Sequence, residues 1–496
     1  MLQLLIKNGA CVNSNGRFHA DIAVSNGKIV QIGQKLDLAA NRTIDAAHKL
    51  VMPGVIDTHV HLPWPSASFD SVDDWESGTT AAVCAGTTTV IEYVVPDQSG
   101  RLIPTLDARM AVASKQSYAD FSFHMILRKV TGETISDMAK VVKQGFTSFK
   151  IYTAYEGFRL SDEEILRALK AAKELEALVC FHAEDGVLVS FATEQLVRAG
   201  KTTMDYYPEA HPYVADVEAT NRVIAYAGFI GTPIHIVHVN TQEGARMIGQ
   251  ARRSGLAITG ETCPQYLTFT EDVYKSGKPE AHHFVLAPLI RTEEDRRGLW
   301  RALAEGDLQM IATDHCPYTL EQKLKGHGDF RNVPGGASGV ETSLPLIYTY
   351  GVRRGRISIE KLVELMSTNP ARIFDLYPNK GIIAIGSDAD LVIYDEEGES
   401  TIDSQRLHSR TDHTLYQGMR VLGRPAMTIL RGRIVAQDGE LETDRPAGQV
   451  LRRPPYSGRG GRLSPADTPA PALRLGSVQD SRLNSAGRKL YVKVTD

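Results

Sequence analysis

His59 and His61, in the run Asp57-Thr58-His59-Val60-His61, are spaced to share one metal ion. Residues two apart on a strand face the same side, so both imidazoles reach the same point. Four further side chains able to bind a metal, Lys150, His182, His238 and Asp314, follow at long intervals. Each of the six closes an apolar run, and the runs are MPGVIDTHVH, FTSFKIY, ALVCFHAED, TPIHIVHVN and DLQMIATDH. Parallel barrels carry their chemistry at the carboxyl ends of the strands, so ligands at strand ends describe one site at a barrel mouth. Taken singly, each has a plainer reading. His59 and His61 suit strand-end hydrogen bonding, His182 and His238 suit structural histidines, and Asp314 suits a helix cap.

Lys150 is the unexpected member. An ammonium group beside divalent cations is repelled, so a lysine there must be neutral, paired with an acidic neighbour, or modified. A neutral ε-amine adds carbon dioxide to give a carbamate, which replaces a cation by a bidentate anion. Asp314, the carboxylate ending the last of these runs, is the natural ligand and general base. His235 sits off the even spacing from His238, His124 falls in mid-strand, and His315 faces opposite to Asp314. These three histidines are assigned to structure.

The elements that must hold these groups are legible as alternating strand-like and helix-like runs. Eight strand candidates appear: VMPGVIDTH, TTTVIEYVV, FSFHMIL, TSFKIY, ALVCFH, PIHIVH, LAITGE and LQMIAT. Eight βα units predict an α/β fold, a (βα)8 TIM barrel over residues 53–379. The clearest helix is SDEEILRALKAAKELEA, where Ser161 and Glu164 form a capping box and Ile165, Leu166, Leu169 and Ala172 mark the buried face. Residues 1–52 and 380–452 are short strands separated by turns, and Asn26-Gly27 is a hairpin signal. The two pieces are expected to pair into one small β-sandwich domain. The segment 453–496, rich in Pro, Gly, Ser and Arg, reads as a flexible or subunit-contacting tail.

A chain of 496 residues with net charge −4, 23% charged and 42% hydrophobic residues has room for such a barrel and a smaller domain. It carries no nucleic-acid footprint. The opening MLQLLIKNG has too short an apolar stretch for a secretory signal, and no later run is long enough to span a membrane. Five widely spaced cysteines without a CxxC pair suit reduced thiols, and a cytoplasmic location is expected.

Several motifs stand in one order: GVIDTHVHLPWP, GTTTVIEYVVP, SFKIYTAY, HAEDG, IVHV, ATDHCPYTLEQKLKGHGDF and GSDADLVIYD. In these the chain resembles the cyclic amidohydrolases of the amidohydrolase superfamily, and among them D-hydantoinases and dihydropyrimidinases, from residue 1 to about 450. The resemblance implies two Zn²⁺ ions, one held by His59, His61 and Asp314, the other by His182 and His238, bridged by carboxylated Lys150. It implies hydrolysis of a ring amide in a hydantoin or dihydropyrimidine, with Tyr155 stabilising the oxyanion and Asp314 moving the proton. Trp64, Phe69 and Phe158 would line the substituent pocket, and backbone groups at Ala287 and Gly335 would hold the ring amide. Ala287 and Gly335 depart from the family's serine and asparagine, and GGASGVETSLPL leans toward allantoinases and dihydroorotases. No arginine follows the first His-x-His, where dihydroorotases place one to hold a carboxylate. A small-molecule cyclic amide is the expected partner, with neither nucleic acid nor membrane, in a homotetramer or homodimer. The alternative of another class is a dihydropyrimidinase-like scaffold that has lost its metal.

Overall fold

The computed structural model describes residues 1–64, 70–275 and 279–458. Eight parallel strands follow one another around a barrel: β1 (Val55–Val60), β2 (Thr87–Val94), β3 (Asp120–Ile126), β4 (Ser148–Tyr152), β5 (Leu178–His182), β6 (Ile234–Ile236), β7 (Ile258–Thr262) and β8 (Met310–Ile311). Helices cover the outside, so both faces of each strand are dry. This explains why the strands read as near-continuous apolar runs, and every residue of β2 and β3 is buried. The barrel expected from the sequence is the one observed.

Four of the outer helices begin with reciprocal capping boxes, at Asp74/Ser77, Thr131/Thr134, Ser161/Glu164 and Thr292/Asp295. Each satisfies backbone N–H groups that a helix start leaves open. In the helix Asp162–Glu174 the buried face is Ile165, Ala168, Leu169, Ala171 and Ala172. Leu166, expected there, is only half-buried, because it lies about 100° around the helix from Ile165.

The barrel closes without a regular ladder between β8 and β1. The Asp57 carboxylate takes the ladder's place, accepting from the Thr313 N–H at 3.2 Å and the Thr313 hydroxyl at 2.6 Å. Just beyond, His315 N–H donates to His59 O at 3.3 Å and His61 N–H donates to His315 O at 2.9 Å. Burial pushes the Asp57 carboxyl up to about 6 against these donors.

The flanking segments pair as expected. Leu50–Pro53 runs antiparallel to Leu391–Tyr394, joining N- and C-terminal strands into one nine-stranded sheet. Its core includes Leu4, Ile6, Ile22, Val51, Leu391 and Ile393. Asn26 and Gly27 both have positive φ, 51° and 74°, as a primed hairpin turn requires. Lys380 ties this sheet to the barrel. Its ammonium is buried among Asp120 at the start of β3, at 2.8 Å, Asp388 at 3.1 Å, and Asp390.

Residues 448–457 cross the floor of the barrel. Gln449 O accepts from Phe121 N–H at 2.9 Å, and Leu451 N–H donates to Phe121 O at 2.7 Å. Arg453, placed in the tail by the sequence reading, is buried and donates to Phe123 O at 2.7 Å and Ser148 Oγ at 2.8 Å. Residues 459–496 lie outside the described part. No helix among the described residues is long and apolar enough to cross a membrane, and Cys11, Cys84, Cys180, Cys263 and Cys316 are all free and buried.

Candidate metal centre and active-site cavity

At the carboxyl end of the barrel, β1 and the turn after β8 bring His59, His61 and Asp314 together. Nε2 of His59 lies 3.1 Å and Nε2 of His61 3.0 Å from Asp314 Oδ1. One ligand atom from each of these residues falls within 4.8 Å of the others, which makes them a candidate metal site. Burial resists ionisation of Asp314, but His59 and His61 outweigh it and hold the carboxyl well below its ordinary value. Burial pushes His61 down to about 4, so its ring is neutral at physiological pH and keeps a lone pair.

His182 ends β5 and His238 follows β6. His182 Nδ1 and His238 Nε2 stand 2.8 Å apart, and the other ring nitrogen of His182 is 3.3 Å from Glu184 Oε2. Burial lowers both rings below the usual histidine range. With Glu184 accepting from His182 Nε2, a tautomer assigned from the network, the Nδ1 lone pair faces His238. The rings of His59 and His238 are 5.4 Å apart, so the two histidine pairs are neighbours.

Lys150, in the middle of β4, sits beneath both pairs. Its Nζ is fully buried, has no hydrogen-bond partner among the described residues, and lies 4.5 Å above the Tyr93 ring and 5.2 Å from the Tyr152 ring. Burial pushes its pKa down to about 8, which enlarges the neutral fraction relative to an exposed lysine. His61 Nδ1 is likewise buried without a partner. Two buried nitrogens without protein partners, beside the lowered imidazoles of His61, His182 and His238 and one carboxylate, make a donor set that fits a metal.

A cavity of about 580 Å³ opens above these groups. His59, His61, His182, His238 and Asp314 form its floor, and Trp64, Tyr155, Phe158, Ala287 and Gly335 line its walls. Trp64 and Phe158 stack with centroids 5.5 Å apart, and Trp64 also meets His61 edge-on at 4.6 Å. Phe69 lies outside the described residues. Lys150 does not reach the cavity surface, and His124, His235 and His315 are turned to other partners. His124 bonds Ser148 and Thr58 O, His235 bonds Thr259 and Glu261, and His315 pairs with Asp73 at 2.9 Å.

The family can be decided on this geometry together with comparison to known proteins. The chain matches the amidohydrolase family over residues 50–435. It is 36% identical to a D-hydantoinase of Ralstonia pickettii over 457 residues, covering 92% of this chain and all of that one. The chain belongs to the amidohydrolase family, among the D-hydantoinases and dihydropyrimidinases. Its fold superposes on the crystal structure of dihydropyrimidinase from Brevibacillus agri NCHU1002 with TM-score 0.90 at 32% identity, over 92% of this chain and all of that one. An L-hydantoinase (dihydropyrimidinase) from Arthrobacter aurescens also matches, with TM-score 0.86 at 31% identity over 91% of this chain and all of that one.

Within this amidohydrolase, several groups supporting the site were not singled out in the sequence. Glu261, next to last in β7, approaches His59 Nδ1 at 2.5 Å and His235 Nε2 at 3.1 Å. Burial opposes its ionisation, yet His59 and His235 hold it at about 2. The strand-end rule applied to LAITGE would have found it. Glu184 receives the Tyr155 hydroxyl at 2.8 Å and faces His211 Nδ1 at 2.7 Å. Arg331, Asn332, Cys316 and Tyr318 also border the cavity. Three of the site residues have left-handed backbone, Tyr155 at φ 69°, His238 at 38° and Asp314 at 54°. Such conformations cost energy in residues other than glycine and gather at functional sites, where surrounding structure holds them.

Proposed function

We propose that this protein is a zinc-dependent cyclic amidase that opens the ring C–N bond of a hydantoin or dihydropyrimidine to give an N-carbamoyl amino acid. The observation that carries the reading is Lys150 Nζ, buried and without a hydrogen-bond partner among the described residues, beneath four imidazoles at the end of a parallel barrel. The neutral amine adds carbon dioxide with loss of one proton, and the resulting carbamate turns the orphan into an anion. His59, His61 and Asp314 would hold one zinc, His182 and His238 the second, and carboxylated Lys150 would bridge them. The bound ions supply Lewis-acid polarisation of the ring carbonyl and an acidified water.

The chain's own groups have defined tasks. Asp314 accepts a proton and delivers it to the leaving ring nitrogen. Tyr155 exchanges its Glu184 partner for the developing oxyanion. Backbone groups at Ala287 and Gly335 hold the ring amide, while Trp64 and Phe158 take an apolar ring substituent. Arg331 and Asn332 on the same cavity favour a second reading, an allantoin-like ring whose ureido group needs polar partners. A cytoplasmic homotetramer or homodimer belongs to the same proposal.

The test is metal analysis of the purified protein with a panel of hydantoin, 5-phenylhydantoin, dihydrouracil and allantoin. Bound zinc and ring opening of at least one substrate are expected. Protein with neither metal nor turnover on any of the four overturns the reading.

A further inference from the structure

Lys323 is a buried cation that no catalytic step uses. It sits in the short helix Leu320–Leu324 with its side chain fully enclosed. No carboxylate approaches within salt-bridge distance among the described residues. Its Nζ instead donates to three backbone carbonyls, Val285 O at 2.9 Å, Pro334 O at 2.7 Å and Gly336 O at 2.7 Å. An ammonium group has three N–H donors, so this set is complete. Burial without a counter-charge pushes its pKa down to about 7.

The three acceptors belong to the two loops that wall the cavity. Val285 precedes Ala287 by two residues, and Pro334 and Gly336 flank Gly335. Val285 O also accepts from Gly336 N–H at 3.0 Å, so one carbonyl joins both loops to the lysine. A Cβ placed on Gly335 would lie 3.5 Å from the Ala287 Cβ, which brings the two cavity residues into van der Waals contact. The peptide geometry then directs the next group. In a trans peptide the N–H points opposite to the preceding C=O. With Pro334 O turned to Lys323, the Gly335 N–H points away from Lys323, and it has no acceptor among the described residues.

We propose that Lys323 is a positioning residue: by holding the Pro334 and Gly336 carbonyls away from the cavity, it presents the Gly335 N–H to a carbonyl oxygen of the substrate ring. This rests on the cyclic-amidase reading above. It explains how a glycine at 335 can serve recognition without a side chain, since the group offered is the backbone amide, fixed from behind by an ammonium.

The test compares Lys323→Met, Lys323→Gln and Gly335→Pro with the unaltered holoenzyme on whichever panel substrate it turns over. Met removes all three donors, Gln keeps a shorter amide, and Pro removes the proposed N–H from a position open to the cavity. Losing one well-placed hydrogen bond raises KM about tenfold. The expected result is such a rise for Lys323→Met and Gly335→Pro, a smaller one for Lys323→Gln, and kcat and zinc content within about threefold of the parent. KM unchanged in the lysine variants, or kcat lost at constant KM as general loosening would give, overturns the proposal. If neither lysine variant folds, Gly335→Pro decides, and an unchanged KM there overturns it. Failure of the unaltered enzyme on all four substrates counts against the amidase reading instead, and removes the proposal with it.

Discussion

His59 and Glu261 are joined by a 2.5 Å contact between ring Nδ1 and Oε1, wholly inside the barrel. A carboxylate on Nδ1 holds a proton on that side, an assignment made from the network, and leaves Nε2, which faces Asp314, as the nitrogen available to a metal. Replacing Glu261 by Gln keeps an acceptor oxygen but removes the charge that raises the basicity of His59. Metal affinity, measured by competition with a chelator, is expected to fall about 10- to 100-fold. Unchanged affinity would show that the pair serves packing alone.

The same pair makes stability depend on acid. The Glu261 carboxyl is held at about 2, below its ordinary 4.5. A depressed carboxylate contributes fully above the unfolded value and loses its contribution as pH falls through the folded one. Urea midpoints of metal-free protein should therefore decline from pH 4.5 toward 2, with a shallower decline in Glu261→Gln.

Lys150→Ala removes the amine that would carry the carbamate. Zinc content should fall and ring opening should drop to background, with partial rescue by acetate or propionate added in its place. Two zinc ions retained at full rate would exclude a carbamate bridge.

Tyr155→Phe keeps the ring that packs on Tyr152 and His182 and removes only the hydroxyl. The expected loss is about a hundredfold to a thousandfold in kcat with zinc content intact, the range for one oxyanion donor. A change confined to zinc content would reassign the tyrosine to the scaffold around His182.

Lys380→Met leaves Asp120 and Asp390 buried with less compensation. Burial lowers the lysine's proton affinity, but its three aspartates raise it well above the ordinary value, so its contribution is complete at neutral pH and lost only as pH rises through that elevated value. Breaking a buried pair of this kind costs about 3–5 kcal/mol. Thermal unfolding at pH 7 checks it.

The barrel was legible because each strand is buried on both faces and so reads as an apolar run with a clear end. His59, His61, His182, His238 and Asp314 could be located by those ends alone, and Ser161 with Glu164 by their spacing. What escaped was whatever depends on partners distant in sequence. Asp57 stands in for a missing ladder only because Thr313 arrives beside it, and Arg453 is buried only because β3 and β4 offer it Phe123 O and Ser148 Oγ. Lys323 carries no sequence signal, since its acceptors are backbone carbonyls with no residue type to read. The left-handed backbone of His238 and Asp314 leaves no mark on composition either.

The floor crossing at residues 448–457 sets an order on how the protein is made. The ribosome delivers β3 and β4 more than 300 residues before Arg453, a separation seen directly in the Arg453 bonds to Phe123 and Ser148. Until Arg453 has been made, Phe123 O and the Ser148 hydroxyl lack the group that joins them. Completion of the catalytic domain thus waits on a segment that lies far from the chemistry in sequence and beneath it in space.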